Sequence, residues 1–157
     1  MKNFIKRLSA VALSLIMLLS VIPMTMAADE ATDVTILFTH DLHSHFLPSN
    51  EDDGGQFGGY ARLMTAIKEQ KAKHPDAILV DGGDFAMGSL FQTAFSTDAT
   101  ELRSMGALGY DVTTFGNHEF DYLRDGLASM LNAAKASGDP LPYIVEANYL
   151  PPKKGED

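Results

Sequence analysis

The chain has 157 residues, 45% of them hydrophobic, which suits one globular domain or part of one. Its net charge of −9 disfavours DNA or RNA polymers as partners, because an acidic surface repels their phosphates. The lack of cysteine excludes disulfides and thiolate metal sites, so any metal must take nitrogen and oxygen ligands.

Residues 1–27 have the pattern of a signal peptide. Three basic residues within the first seven positions precede an apolar stretch at residues 8–22, and small residues then offer a cleavage site ending at Ala27. A retained membrane anchor is the alternative, but a spanning helix needs about 20 apolar residues. We therefore expect an exported protein, extracellular, periplasmic or at the cell surface, with no transmembrane span in the mature chain.

Strands and helices alternate along the rest of the chain. The predicted strands are residues 34–38, 77–80, 111–115 and 143–145. The predicted helices are residues 59–73, 98–108 and 123–134, with one or two helical turns at residues 90–95. This alternation predicts an α/β fold with a parallel βαβαβ core and no second domain.

Three local patterns mark the segments between the predicted strands. Asp98 and Glu101 have the spacing of a capping box, which predicts that they open the helix ending before Gly109. Residues 48–59 combine three acids with four glycines, which predicts a solvated loop. Gly138, followed by an acidic residue and a proline, is expected to stop the last helix.

Polar residues follow the ends of three predicted strands. They are Asp41 with His43, then Asp84, then Asn117 with His118. Because ligands bind beyond the carboxyl ends of parallel strands, we expect these side chains to converge at one edge. Carboxylate, imidazole and amide groups are ligands for Zn²⁺, Mn²⁺, Fe or Mg²⁺. On an extended backbone, Asp41 and His43 would point to the same face.

Neighbouring polar residues have less distinctive patterns. His45 continues the alternation of Asp41 and His43, and we favour a supporting or substrate-contacting role over a metal ligand. His40 is expected to point away from that pair, and Asp81 to accept backbone N–H groups of the glycine turn. Glu119 could be a surface carboxylate beside the site or, like His45, support the metal ligands without binding metal itself.

Three sequence blocks resemble the first three blocks of the calcineurin-like metallophosphoesterases. They are Asp41-x-His43, Gly83-Asp84 and Gly116-Asn117-His118-Glu119. The longer string from Gly116 to Asp121 resembles the 5′-nucleotidase branch, and the resemblance extends over residues 34–148. It implies part of an α/β/β/α sandwich, hydrolysis of phosphate esters and two divalent metal ions (Zn, Mn, Fe or Mg).

The resemblance also implies roles for individual residues. Asp41 and His43 would bind the first metal ion, Asp84 would bridge both ions, and Asn117 would bind the second. His118 would stabilise charge on the phosphoryl group. Asp121 would orient His118, although Asp121 also stands where an N-cap of the next helix belongs.

Nucleotides are the substrates that the resemblance implies, as in 5′-nucleotidases, cyclic-nucleotide phosphodiesterases and UDP-sugar hydrolases. No histidine follows His118, whereas family members supply further metal-binding histidines from later sequence. We therefore expect residues 28–157 to be the N-terminal part of a phosphoesterase domain, weak or inactive alone and without the C-terminal nucleotidase domain. The alternatives are a related enzyme acting on another phosphate or sulfur ester, and a non-catalytic secreted fragment.

Overall fold

Parallel strands form the main sheet of the protein, whose computed structural model describes residues 32–149. The strands in chain order are β1 (Ile36–Thr39), β2 (Ser49–Asn50), β3 (Gln56–Phe57), β4 (Ile78–Asp81), β5 (Val112–Thr113) and β6 (Tyr143–Ile144). The main sheet has the order β1-β4-β5-β6, and every neighbouring pair is parallel. The predicted α/β fold with a parallel core is confirmed. The second sheet of the predicted sandwich stays a prediction.

Helices connect successive strands of this sheet. They are α1 (Tyr60–Lys73), α2 (Phe95–Asp98), α3 (Thr100–Leu108) and α4 (Leu123–Ser137), with 3₁₀ turns at Leu90–Ala94 and His118–Phe120. Gly109 ends α3 and Gly138 ends α4, each in the left-handed conformation that satisfies the last carbonyls of a helix. Both helix ends lie where the sequence predicted them.

Side-chain alternation gives the sheet one buried face and one exposed face. Leu79 of β4 is completely buried, whereas Ile36 and Phe38 on the edge strand β1 are 60% and 61% exposed. The buried face packs into a hydrophobic core shared with the helices. Its fully buried large side chains include Phe85, Phe95, Leu79, Leu102, Met105 and Met130.

A small antiparallel hairpin replaces the solvated loop predicted at residues 48–59. Strands β2 and β3 pair with Ser49 opposite Phe57. The connecting turn closes through the N–H of Glu51 donating to the carbonyl of Gly55 at 2.8 Å. Asp53 adds a bond, because its Oδ1 accepts the N–H of Gly55 at 2.9 Å. The acids and glycines thus form the turn, while the residues on either side pair as strands.

Two further predictions about local structure are wrong. Strand β5 is shorter than residues 111–115, because Glu146 Oε1 accepts the N–H of Phe115 at 2.5 Å in place of a neighbouring strand. Asp98 does not cap α3: it belongs to α2, and Ala99 between the two helices adopts φ 49° with no side-chain cap.

The predicted signal peptide, residues 1–27, lies outside the described residues. Among residues 32–149, no helix combines the length and hydrophobicity needed to cross a membrane.

Candidate metal centre

The turns that follow β1, β4 and β5 meet at the carboxyl edge of the sheet. The N–H of Asp41 donates to the carbonyl of Gly83 at 3.0 Å, and the N–H of His43 donates to the carbonyl of Asp84 at 3.1 Å. The turn after β5 joins them, because the N–H of His118 donates to Asp84 Oδ1 at 2.8 Å. The three strand ends are therefore in direct contact, as expected for parallel strands.

Asp41, His43 and Asp84 bring their ligand atoms together at this edge. One ligand atom from each lies within 4.8 Å of the other two. Opposite ligands of a single Zn²⁺ or Mg²⁺ ion are about 4.4 Å apart at most, so small side-chain adjustments would let all three bind one ion. Two carboxylates and one imidazole are also a suitable donor set. The residues present therefore fit a divalent cation.

A hydrogen bond determines which nitrogen of His43 faces this cluster. Nδ1 of His43 lies 2.7 Å from the carbonyl oxygen of Met87. Because a carbonyl only accepts, Nδ1 carries the proton and Nε2 keeps its lone pair. Nε2 lies 3.4 Å from Asp41 Oδ1, on the side of the other ligand atoms. The imidazole is thus held in the tautomer that a metal ion requires.

The backbone around the ligands is coiled, not extended. Asp41 has φ 53°, His43 has φ 46° and Asp84 has φ 54°, all in the left-handed region. The predicted extended backbone for Asp41 and His43 is therefore wrong, although their side chains do converge. The convergence comes from a tight turn hydrogen-bonded to residues 83–85.

Two glycines allow the turns to approach so closely. A Cβ atom at Gly83 would lie 2.4 Å from the backbone nitrogen of Gly116. A Cβ atom at Gly116 would lie 2.2 Å from Asp84 Oδ1. Both separations are well inside van der Waals contact, at about 3.5 Å or more between carbons. The glycines of these motifs therefore place Asp84 directly against the end of β5.

Glu119 is fully buried behind the ligands and binds backbone amides of two turns. Its Oε2 accepts the N–H of Gly116 at 2.7 Å and that of Asp84 at 3.0 Å, and its Oε1 accepts the N–H of Ala86 at 2.9 Å. Burial raises the pKa of Glu119, and these three hydrogen bonds oppose that shift. The surface position, one of the two alternatives for Glu119, is wrong, because three amides from folded turns surround this side chain. Its supporting role stays a prediction.

His118 and Asp121 form a hydrogen-bonded pair beside the cluster. His118 Nδ1 lies 2.7 Å from Asp121 Oδ2, and this hydrogen bond raises the pKa of His118. The ring of His118 packs edge-on against that of His43, with 5.1 Å between ring centres. The N-cap of α4 is Tyr122, and no side chain caps that helix. The side chain of Asp121 therefore contacts His118 and not the helix start.

Asn117 and His45 lie close to residues of the site in the chain. Asn117 immediately precedes His118, and its carbonyl accepts the N–H of Phe120 at 3.2 Å. Its role as a metal ligand stays a prediction. His45 is exposed and lines a cavity of about 560 Å³ together with Asp41. That position leaves its predicted supporting or substrate-contacting role open.

His40 and Asp81 contact the turns of the cluster. Nδ1 of His40 hydrogen-bonds to Oδ2 of Asp41, so the prediction that His40 points away from that pair is wrong. This bond lowers the pKa of Asp41. Asp81 accepts the N–H of Gly83 at 2.9 Å, as predicted, and also the hydroxyl of Thr39 at 2.6 Å.

One buried contact to the metal-site turn, the turn that carries Asp41 and His43, was not predicted from the sequence. Ser44 Oγ donates to Glu101 Oε1 at 2.7 Å, and both residues are fully buried. A signal for Glu101 was present, because Glu101, Met105 and Leu108 share the i, i+4, i+7 spacing of one helix face. The capping-box pattern instead assigned Glu101 to the start of the helix.

Comparison with known proteins gives one family match across these turns. The family model described as Calcineurin-like phosphoesterase matches residues 34–154. A snake venom 5′-nucleotidase from Gloydius brevicauda is 35% identical over 122 residues, covering 74% of this chain and 18% of the relative. The trifunctional nucleotide phosphoesterase protein YfkN of Bacillus subtilis is 38% identical over 124 residues, covering 78% of this chain and 8% of the relative.

A solved structure supports the same likeness. The NAD nucleotidase of Haemophilus influenzae superposes with a TM-score of 0.63 at 27% identity, over 76% of this chain and 21% of that chain. The chain thus spans about a fifth or less of the length of each of these three proteins.

Proposed function

This chain belongs to the calcineurin-like phosphoesterase family, and from that membership we propose that its protein hydrolyses phosphate esters of nucleotides with the help of divalent metal ions. The similar proteins support the substrate class, since their names describe 5′-nucleotidases, a nucleotide phosphoesterase and an NAD nucleotidase. The observation that carries the proposal is the convergence of Asp41, His43 and Asp84 at one sheet edge, with their ligand atoms within 4.8 Å.

Members of the family bind divalent metals, and this chain offers a place for one. Asp41, His43 and Asp84 would hold the first ion, and Asp84 together with Asn117 would hold a second. Bound ions would supply Lewis-acid chemistry toward a phosphoryl group. The number of ions, two, and their identity as Zn, Mn, Fe or Mg belong to the proposal.

His118 would act on the substrate and not on the metal. Its Nδ1 is engaged by Asp121 Oδ2 at 2.7 Å, which fixes the ring. Nε2 is then the ring nitrogen that would donate a hydrogen bond to the phosphoryl group as negative charge develops there. Asp121 would orient the ring and favour its protonated form.

The test is a substrate panel on the protein as its gene encodes it. AMP, cyclic nucleotides, UDP-sugars and p-nitrophenyl phosphate would be assayed with Mn²⁺, Zn²⁺ or Mg²⁺ after removal of bound metal. We expect phosphate release from nucleotides that depends on added metal. Asp84→Asn should abolish it and lower the metal content. Turnover that survives both metal removal and Asp84→Asn would contradict the proposal.

We also propose that the protein is exported by a signal peptide ending near Ala27, a pattern that stands in the sequence. Mass spectrometry of the protein recovered outside the cytoplasm should find a new N-terminus near Ala28. Recovery of the chain with residues 1–27 still attached would favour the membrane-anchor alternative.

A further inference from the structure

Glu101 carries a buried carboxyl group that the proposed chemistry does not use. It lies in the first turn of α3, fully buried, and its Oε1 accepts the hydroxyl proton of Ser44 at 2.7 Å. Its Oε2 has no hydrogen-bond partner within residues 32–149. No lysine, arginine or histidine of the described chain forms an ion pair with it. Burying a carboxyl group with one unpaired oxygen lowers the stability of the fold unless its other contacts compensate.

The partner of Glu101 occupies a critical position in the metal-site turn. Ser44 directly follows His43, and it is completely buried. Its N–H donates to the carbonyl of Phe85 at 2.9 Å, and its own carbonyl accepts the N–H of Phe46 at 2.8 Å and the hydroxyl of Ser89 at 2.6 Å. The hydroxyl of Ser44 completes this set by donating to Glu101.

The turn needs such contacts because its backbone is strained. Asp41, His43 and Ser44 all have positive φ, between 46° and 53°. A non-glycine residue in the left-handed region is strained and persists only where the surroundings hold it. Backbone bonds to residues 83–85 hold one side of the turn. The side-chain bond to Glu101 ties it to α3 and the hydrophobic core.

We propose that Glu101 is a positioning residue, whose carboxyl group holds Ser44 and thereby keeps Asp41 and His43 in the geometry that binds metal. The inference rests on the proposed metal role of those two residues. The side chain of Glu101 bonds to Ser44 and not to a proposed metal ligand, so its effect would pass through Ser44.

The surroundings of Glu101 favour the neutral form. Burial raises its pKa, and the hydrogen bond from Ser44 only partly opposes that shift. Burial raises the pKa of Tyr60, and the negative charge of Glu101 is the next largest cause of that rise. A charged Glu101 would therefore lie close to this buried phenol. A protonated carboxyl keeps Oε1 as an acceptor for Ser44 and avoids an uncompensated charge in the core.

Three variants of the gene-encoded protein test this role. Glu101→Met keeps the volume and removes the acceptor, Glu101→Gln mimics the neutral carboxyl group, and Ser44→Ala removes the donor. Leu108→Ala is the matched control, because Leu108 is buried at the other end of the same helix. The readouts are the Kd for Mn²⁺ by titration calorimetry, and amide hydrogen exchange of the turn in metal-free protein.

We expect Glu101→Met and Ser44→Ala to weaken Mn²⁺ binding about 10–100-fold, the usual effect of losing a residue that orients a metal ligand. The double variant should be no weaker than either single one, since both break the same contact. Turn amides should exchange faster in these variants even without metal. Glu101→Gln should retain wild-type affinity, and Leu108→Ala should lower stability while the Kd stays unchanged.

Several results would overturn the inference. Wild-type affinity and exchange in Glu101→Met would show that the contact does not hold the turn. Loss of affinity in Glu101→Gln equal to that in Glu101→Met would contradict the role, because the Glu101→Gln side chain keeps an acceptor oxygen for Ser44. An equal loss of Mn²⁺ affinity in Leu108→Ala would show that the effect of Glu101 on binding reflects general stability and not the position of the turn. If Glu101→Met does not fold, Ser44→Ala decides by the same criteria. Wild-type protein that binds no Mn²⁺ would contradict the proposed function, whereas the exchange data would still test the contact.

Discussion

The carboxylate of Glu119 accepts the backbone N–H of Asp84 at 3.0 Å, and the same oxygen accepts the N–H of Gly116 at 2.7 Å. One buried side chain therefore fixes the spacing between the turn after β4 and the turn after β5. The proposed bridging ligand, Asp84, is held through its own backbone, while its carboxylate lies at the sheet edge, where Oδ1 also accepts the N–H of His118.

Glu119→Gln should destabilise the protein, although the substitution changes the shape of the side chain very little. Glutamine has one acceptor oxygen, so its amide nitrogen would face at least one buried backbone N–H. Leaving one such donor unpaired should lower the free energy of unfolding by about 1–3 kcal/mol, measured by urea denaturation. Exposed Glu69→Gln is the control, with an expected change below about 0.5 kcal/mol. Equal stabilities of the two variants would contradict the buried role.

Gly116→Ala should displace Asp84 and weaken metal binding. The new Cβ would lie 2.2 Å from Asp84 Oδ1, so one of the two turns must move. We expect the Kd for Mn²⁺ to rise at least about tenfold, because the carboxylate leaves the ligand cluster. Gly55→Ala is the matched control: its Cβ would meet only the ends of the Asp53 and Glu51 side chains, at 3.0 Å. Unchanged binding in Gly116→Ala would mean that the close approach of Gly116 does not hold Asp84 in its place.

The main features of the fold were predictable because each is a local pattern. Apolar runs such as residues 34–38 and 77–80 end abruptly in polar groups, and parallel pairing brings those groups together. The position of the site could therefore be predicted from two features, the polar groups at the strand ends and the parallel direction of the strands. The contact of Asp81 with the glycine turn also followed, because it joins residues two positions apart.

The buried carboxylates were not predictable in the same way. Glu119 is buried because amides of residues 84 and 86, more than thirty positions earlier, surround it. Glu101 is buried because Ser44, 57 positions away, reaches it. Residue type favours the surface for both residues, since acidic side chains are rarely buried unless paired, and only the helical spacing of Glu101 with Met105 and Leu108 pointed the other way. The left-handed turn at Asp41 likewise depends on hydrogen bonds to another strand end.

His118→Ala should separate catalysis from metal binding. Its ring is bonded to Asp121 and packs against His43, but it lies outside the three-residue ligand cluster. If His118 acts on the phosphoryl group, its loss should lower kcat about 10²–10⁴-fold. Metal content, measured by atomic emission, should remain that of the wild type. Asp121→Asn, which keeps the ring but weakens its orientation, should have a smaller effect. Loss of metal in His118→Ala would instead make His118 a ligand.

Glu101 should leave a signature in the pH dependence of stability. Burial raises its pKa in the folded state above the ordinary value of 4.5, so the unfolded chain releases this proton more readily. The stabilising contribution is complete below pH 4.5 and is lost as pH rises through the folded-state pKa. The Glu101→Gln side chain cannot titrate. The free energy of unfolding of this variant should therefore match that of the wild type near pH 4 and exceed it at higher pH. The gain should approach about 1.4 kcal/mol for each unit of pKa shift. Urea unfolding of metal-free protein between pH 4 and 8 measures this difference, and a difference independent of pH would mean that Glu101 titrates normally in the folded protein.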